Sequence, residues 1–280
     1  MGEAKHATVQ ERFTGSAPAL LARCDVLHHR DKAAEKHGKL LLALGIMSFV
    51  GAFGGFFVAG VSGIDLLMVL PFLLGFAGVA ALVARSFVLR GDIEDRKLYL
   101  ASGLVRQLEP ELKAGKPLDM DLDFRAHHKL PPKEKSGGAW GPKSYAYEHP
   151  WFELRVVLQD GTKAKLSAVT KAKRKTKPKR KYTKIKERCV DHFVVELSAP
   201  QGRSFGVQQL PRMTSSGGMR LVRAQVKPRS ARLEWAGPAL QRTRSRYGWQ
   251  VNGQLLDAPA ALGALITSYK TLAAAQRQAA

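Results

Sequence analysis

The feature that most constrains this chain is a pair of apolar segments in its N-terminal third. Residues 40–64 and 66–84 contain no charged side chain and are separated only by Asp65. Helices over 40–61 and 66–84 would be roughly 33 and 28 Å long, close to the bilayer's hydrocarbon thickness of about 30 Å. Helices of soluble proteins seldom stay apolar on all sides over such a length. The pattern therefore predicts a two-helix transmembrane hairpin.

Positive charges flank this hairpin on the outer side of both helices and are missing from the link between them. They are Arg23, Arg30, Lys32, Lys36 and Lys39 before the first helix, and Arg85, Arg90, Arg96 and Lys97 after the second. Because Lys and Arg accumulate on the cytoplasmic side of membrane segments, we expect both termini to be cytoplasmic, in an inner membrane of bacterial type. The spans contain no ionisable side chain, which is typical of an anchor rather than an ion pathway.

Small residues on each predicted span suggest how the two helices meet. A stripe of Gly and Ala lets helix backbones approach closely within a membrane. The expected contact residues are Gly51, Gly55 and Ala59 in the first helix, and Ala77, Gly78 and Ala81 in the second. The alternative is that Gly and Ala are simply frequent in membrane helices.

Outside the hairpin the sequence divides into three segments. Residues 1–39 are predicted to be a cytoplasmic N-terminal arm, loose at first and then forming a juxtamembrane helix. Residues 85–116 are predicted to be an amphipathic connecting helix, since apolar residues recur there on one stripe: Ile93, Leu100, Leu104 and Leu108. Residues 117–280 are predicted to be a basic, β-rich cytoplasmic domain.

The clearest hairpin signal of this domain lies between residues 151 and 169. Apolar residues alternate with polar ones on both sides of Gln159-Asp160-Gly161. A three-residue loop pairs Leu154 with Leu166 and keeps the apolar residues on one face, with Gly161 in the left-handed conformation. A two-residue loop would put lysines on that face. The same reasoning predicts a second hairpin that pairs Leu197 with Phe205.

Further strands are expected at 221–226 and 231–235, followed by a hairpin turn at Asn252-Gly253 and a C-terminal helix over 258–278. On that helix, one side should carry Leu262, Leu265, Ile266, Tyr269 and Leu272. The expected fold class is thus an α+β membrane protein, in which a transmembrane helical hairpin precedes a β-rich barrel or sandwich with a C-terminal helix.

Residues that could carry chemistry are few. Asp119, Asp121 and Asp123 alternate with apolar residues, which is typical of the wet face of a strand rather than of a metal site. Two pairs, Cys24 with His28 and Cys189 with His192, form a zinc set in kind, but their spacing favours roles in packing. The common nucleotide-binding and hydrolase motifs are absent from the sequence. No catalytic residue, metal or cofactor is predicted.

The most unusual stretch is basic and runs from residue 171 to 188. Eleven of its eighteen residues are cations: Lys171, Lys173, Arg174, Lys175, Lys177, Lys179, Arg180, Lys181, Lys184, Lys186 and Arg188. The chain as a whole carries a net charge of +22. Both faces of the stretch are polar if it is extended, so we expect an exposed arm between two strands, with Pro178 blocking extension of the sheet.

Several partners fit such an arm. It could contact anionic lipid head groups, the phosphates of a nucleic acid or an acidic protein, or it could be a solvated loop. The layout of a two-span hairpin followed by a β-rich domain is similar to that of membrane-anchored bacterial pleckstrin-homology-like proteins. The leading hypothesis is a non-enzymatic binding or scaffold protein, attached to the lipid bilayer, whose basic arm contacts anionic lipid. The alternatives are a tethered adaptor for nucleic acid or an acidic protein, and an enzyme whose site the sequence does not reveal. Self-association into a homo-oligomer stays open.

Overall fold

The computed structural model describes residues 10–62, 69–88, 95–138, 141–205, 215–245 and 248–278. The chain forms two compact units. One, the helical unit, comprises Met1–Val9 and Asp25–Ile93, and the other, the sheet unit, comprises Gln10–Cys24 and Glu94–Ala280.

Two long apolar helices form a hairpin in the helical unit. Helix α1 spans Ala17–Ser62, its first residues belonging to the sheet unit, and α2 spans Val69–Val88. The juxtamembrane helix and the first span, expected as separate elements, are one continuous helix of 46 residues. The join has no proline, and it is rich in Ala, Leu and Lys, which are good helix formers.

The two helices are antiparallel and meet at glycines. A β-carbon added to Gly55 would lie 3.0 Å from Pro71 Cγ, and one added to Gly51 would lie 3.3 Å from Leu74 Cδ1. One added to Gly78 would lie 3.1 Å from Phe49 Cε2. The absence of a side chain at these positions is therefore what allows the close approach.

Other small residues behave differently from the expectation. Ala81 is half-buried, whereas Ala77 is exposed and does not line the contact. The side chain of Ala59 lies outside the described part of the chain. The sequence pattern missed Gly45, where an added β-carbon would lie 3.2 Å from Leu82 Cδ2. The contact is thus centred on glycines, and the alanines contribute less.

Most large apolar side chains of this hairpin face outwards. Phe53 is 83% exposed, Phe57 76% and Phe76 74%. Both helices are apolar and long enough to span a membrane. So many exposed aromatic and aliphatic side chains would be unfavourable in water, and the hairpin itself does not cover them.

The described residues of the sheet unit form nine antiparallel strands in one sheet. They are β1 Gln10–Gly15, β2 Leu118–Asp123, β3 Glu134–Ser136, β4 Lys143–Val157, β5 Lys163–Pro178, β6 Thr183–Ser198, β7 Arg220–Lys227, β8 Ser230–Ser245 and β9 Gly248–Asn252. The strand order is β1-β2-β4-β5-β6-β8-β7, with β3 also paired to β4 and β9 to β8. Within the described residues no pairing joins β1 to β7. The described strands thus form one antiparallel sheet, and the expected barrel or sandwich stays a prediction.

Two helices complete the sheet unit. Helix α3 spans Asp95–Leu108, and it buries three residues of the expected stripe, Leu100, Leu104 and Leu108; Ile93 lies outside the described residues. Helix α4 spans Ala258–Gln278, as predicted. Its buried side is Ala261, Ala264, Leu265, Ser268 and Leu272, and Ile266 is 42% exposed, contrary to the expected face. Trp235 of β8, itself buried, donates a hydrogen bond from Nε1 to Ser268 Oγ at 3.0 Å.

The turn between β4 and β5 confirms the predicted three-residue loop. Leu154 lies opposite Leu166, and the Leu158 amide donates to the Thr162 carbonyl at 2.9 Å. Gly161 has a φ of +85°, in the left-handed region. Face parity along the two strands was sufficient to assign this register, because one face is buried.

The second predicted hairpin is wrong. Leu197 of β6 pairs with Ala164 on one side and Ala231 on the other. A turn does follow β6, with Gly202 at a φ of +83°, but the Phe205 amide then bonds to the Pro228 carbonyl at 2.7 Å. Val207, the other apolar residue expected on the returning strand, lies outside the described residues. Strand β8, more distant in sequence, occupies the edge of β6 instead.

The ends of the sheet also differ from expectation. Residues 10–15, predicted to be loose, form the edge strand β1 against β2, with Phe13 opposite Met120. Asn252 and Gly253, predicted to form a hairpin turn, instead lie at the end of β9 and just after it. Strand β9 pairs with the preceding strand β8, with Trp249 opposite Arg244. The strands predicted near 221–226 and 231–235 are present as β7 and β8.

Candidate anion-binding surface

The basic stretch is the distal half of a long β-hairpin and not a connecting arm. Strands β5 and β6 pair without interruption from Lys163 opposite Ser198 to Pro178 opposite Thr183. The expectation of two polar faces was wrong, because Ala172, Ile185 and Cys189 are buried on one face. Pro178 ends β5, where a missing amide N–H is tolerated.

Six of the predicted cations lie on the other face of this hairpin. We call them the basic ladder: Lys173, Lys175 and Lys177 of β5, with Arg188, Lys186 and Lys184 of β6 directly opposite them in that order. Directly opposite residues of an antiparallel pair point to the same side and have β-carbons about 4.5–5.5 Å apart. Five of the six side chains are exposed, and Lys184 is half-buried.

The other predicted cations have different positions. Lys179, Arg180 and Lys181 are exposed at the tip between the two strands. Lys171 shares the face of the ladder but forms an ion pair, with its Nζ 2.9 Å from Glu234 Oε1. Arg174 belongs to the opposite face, where it lies across from Glu187. The hairpin therefore places six of the eleven cations in the ladder and three at its tip. Of the other two, Lys171 is neutralised by an ion pair and Arg174 lies on the opposite face.

The ladder is not neutralised by acidic side chains. Among the described residues, none of its six members forms an ion pair. Glu187 is the only acid between 171 and 188, and it is buried on the opposite face. Like charges directly opposite each other on a sheet are destabilising. The two strands therefore pair in spite of the repulsion between the ladder cations.

The remainder of the same sheet face shows a contrasting pattern. There several cations have acidic partners: Lys165 lies 3.1 Å from Glu153, and Arg232 lies 2.7 Å from Glu196. Lys165 lies on β5 and Glu196 on β6, the two strands that also carry the ladder. The pattern of charge pairing therefore changes along these strands. The concentration of unpaired charge is thus local to the distal hairpin.

Neutral residues border the ladder on both sides. On β4, Ser144 lies beside Lys175 and Ala146 beside Lys173. On β8, Gln241 lies beside Arg188 and Thr243 beside Lys186. None of these four residues is aromatic, and Tyr182 at the tip is the single aromatic residue between 171 and 188, so the ladder is bordered by residues that do not stack on nucleobases. A flat array of ammonium groups can attract many phosphates or carboxylates without selecting a single shape.

The three alternating aspartates differ in exposure. Asp119 and Asp121 lie on the wetter face of β2, as expected, but Asp123 is buried. Burial alone would raise the pKa of Asp123, yet hydrogen bonds from Arg125 and Gln10 hold that pKa well below its usual range. The Arg125 guanidinium donates to its carboxylate at 2.7–3.0 Å. The role of Asp123 is structural.

The cysteine and histidine pair on β6 is also separated. His192 lies with its Nδ1 2.8 Å from Glu234 Oε1, on the face of the ladder. Cys189 points to the other face, where its Sγ lies 3.9 Å from His127 Nε2. His127 was not among the predicted site residues. Residues 62 positions apart in sequence leave no spacing pattern by which this neighbour could have been found.

No protein-family model matches this chain, and neither a curated protein nor a solved structure matches it. The function must therefore be inferred from the chain's own geometry.

Proposed function

We propose that this protein is a membrane-anchored, non-enzymatic binding module whose basic ladder contacts anionic lipid head groups. The observation that carries the proposal is the uncompensated ladder, three directly opposed pairs of cations on one strand pair. A ligand with many negative charges would relieve their repulsion. In the proposed arrangement residues 40–61 of α1 together with α2 span an inner membrane, and both termini are cytoplasmic.

The energetic argument favours a membrane surface. A Lys or Arg near an anionic leaflet contributes about 1 kcal/mol, so six together contribute on the order of 6 kcal/mol if all reach the head groups. Because the ladder and the apolar hairpin belong to one chain, the ladder would be tethered to the bilayer. A second binding event on a tethered module has a high effective concentration and a smaller entropic cost.

The composition of the ladder supports lipid over nucleic acid. Five of the six cations are lysines, and the lysine ammonium is a point charge that lacks the bidentate geometry of arginine. Sequence-tolerant binding of single strands generally uses aromatic stacking, and the neighbours of the ladder are Ser, Ala, Gln and Thr. Charge without shape selection suits a fluid lipid surface.

The experiment uses the full-length protein held in nanodiscs of neutral lipid, mixed with a second population of vesicles. Flotation should carry the nanodiscs with anionic vesicles and not with neutral ones, and added salt should weaken this association. Replacing Lys173, Lys175 and Lys177 by Gln should weaken it strongly, because half of the ladder charge is lost. A control that replaces Lys113, Lys116 and Lys227, all exposed elsewhere, loses the same charge and should still float.

Two outcomes would contradict the lipid assignment. One is equal flotation with neutral and anionic vesicles. The other is a gel shift with single-stranded DNA that depends on the same three lysines, in the absence of any vesicle association. A protein found in the soluble fraction after lysis would remove the membrane anchor itself.

A further inference from the structure

A cluster of potential metal ligands lies on the face of the hairpin opposite the ladder. His127 Nε2, a Glu187 carboxylate oxygen and Cys189 Sγ all lie within 4.8 Å of one another. We propose that these three side chains bind a zinc ion. The proposal does not depend on what the ladder binds.

The sheet positions two of the three ligands rigidly. Glu187 and Cys189 are two residues apart on β6, so both point to the same face, and their exposures are 6% and 2%. His127 begins the short 3₁₀ turn His127–Lys129. Its ring packs against Tyr147, with the ring centroids 5.8 Å apart, and its Nε2 contacts the Glu187 carboxylate directly. Ligands on a central strand are held more precisely than ligands on a loop.

The distances suit zinc. Tetrahedral coordination, with bonds of about 2.0–2.3 Å to N, O and S, places the ligand atoms roughly 3–4 Å apart. The separation of 3.9 Å between Cys189 Sγ and His127 Nε2 falls in that range. The direct His127–Glu187 contact is shorter than this, so the imidazole and the carboxylate must separate to admit the ion. His127 is on a turn and can make that movement.

The ligand chemistry selects the class of metal. A thiolate with an imidazole favours Zn²⁺ and similar transition metals, whereas Mg²⁺ and Ca²⁺ prefer oxygen ligands alone. Binding requires the Cys189 thiol to lose its proton, which is released to solvent as the S–Zn bond forms. A thiolate, a carboxylate and a neutral imidazole then balance the +2 charge of the ion.

Basic residues near the cluster limit the affinity and define the fourth ligand. Arg174 of β5 and Arg242 of β8 lie on either side of Glu187 in the strand register. His128, next in the chain, has its ring centroid 5.7 Å from that of His127. Since the two guanidinium groups oppose a divalent ion but attract anions, the fourth position should be taken by hydroxide or another small anion. The wall formed by Tyr147, Ala172 and Leu240 is apolar.

The test uses metal-free, untagged full-length protein and the probes Co²⁺ and Zn²⁺. One equivalent of Co²⁺ should produce a thiolate-to-metal charge-transfer band, which Zn²⁺ removes by displacement and Mg²⁺ leaves unchanged. Even second-shell partners alter metal affinity by roughly 10- to 100-fold, so loss of a ligand should weaken binding at least that much. The variants are Cys189→Ser, which should remove the band, and Glu187→Gln and His127→Gln, which should weaken it.

His127→Gln keeps the test decisive if the core variants fail to fold, because His127 lies on a half-buried turn. The matched controls are Cys24→Ser and His192→Ala, which change the other cysteine and the neighbouring histidine of β6. Both should keep the band at full strength. No band with Co²⁺, a band that survives Cys189→Ser, or unchanged affinity in His127→Gln would each overturn the proposal.

Discussion

Lys175 of β5 lies directly opposite Lys186 of β6, on the same face of the sheet. Further along this hairpin, Lys171 on the same face has Glu234 at 2.9 Å. This face of the sheet can therefore accommodate an ion pair, yet at Lys175 and Lys186 it carries two like charges directly opposite each other. This local cost to stability is the physical basis for assigning a binding role to the ladder.

Replacing Lys175 by Glu should stabilise the sheet unit and weaken its binding to anions. The new carboxylate would face Lys186 and form a cross-strand ion pair in place of a repulsion, a change of about 0.2–1 kcal/mol. Thermal unfolding followed by near-ultraviolet circular dichroism reports on the buried Trp151 and Trp235. Lys227→Glu is the matched control, since Lys227 pairs with Ser230 and should gain nothing. A lower melting temperature for Lys175→Glu would contradict the repulsion argument.

Removing the Asp191 carboxylate should be among the most destabilising changes in the sheet unit. Asp191 is fully buried and accepts hydrogen bonds from Arg96 at 2.5 Å, Thr170 at 2.5 Å and the Leu256 amide at 3.2 Å. Asp191→Ala removes the shared acceptor of these three hydrogen bonds from the buried interior, at a cost of roughly 3–5 kcal/mol. Urea titration would measure it.

The surface pair formed by Asp121 and Arg12 provides the comparison. Their side chains are 44% and 76% exposed, and exposed ion pairs contribute only about 0–1 kcal/mol. Asp121→Ala should therefore change the midpoint of unfolding little. Similar losses for Asp121→Ala and Asp191→Ala would show that the buried carboxylate does not organise the sheet unit.

Acid should destabilise the sheet unit through Asp123. Its pKa in the folded protein is held well below the unfolded value of about 3.9, so its contribution is present above that pH and is lost as the pH falls further. Melting temperatures between pH 7 and pH 2 should show a steeper acid decline in the parent than in Asp123→Asn. Asp119→Asn, an exposed neighbour, should keep the parent's profile. Parallel acid profiles for the parent and Asp123→Asn would be inconsistent with this role.

The topology prediction concerns the helical unit. Because cations flank both ends of the apolar hairpin, a reporter fused to either terminus should be cytoplasmic. A phosphatase reporter, active only outside the cytoplasm, should be inactive at both ends, and a fluorescent protein that requires the cytoplasm should be bright at both. Phosphatase activity at one terminus alone would indicate a single span, and activity at both termini would indicate an inverted orientation.

How far the sequence predicts this structure depends on how local each interaction is. The loop at Gln159-Asp160-Gly161 and the bounds of α4 were predicted, because neighbouring residues determine them. Strand β1 was missed because Phe13 pairs with Met120, across more than a hundred residues. Phe205 was assigned to the wrong partner because apolar alternation identifies a strand but not its neighbour.

The candidate sites follow the same rule. The composition of the basic stretch identified the cations of the ladder, but the charges concealed the alternation of Ala172, Ile185 and Cys189, which makes the stretch a hairpin with one buried face. The approach of His127 to Cys189 depends on a turn 62 residues away in the chain. Only the assembled sheet shows it.

The most direct test of the central claim is the reactivity of the ladder lysines in the protein's own bilayer. Full-length protein in nanodiscs of neutral or anionic lipid is briefly acetylated at its amines, and the modification at each lysine is measured by mass spectrometry. We expect Lys173, Lys175 and Lys186 to be protected in anionic lipid and reactive in neutral lipid, while exposed Lys113 and Lys227 react equally in both. Equal reactivity of the ladder lysines in the two lipids would contradict the account.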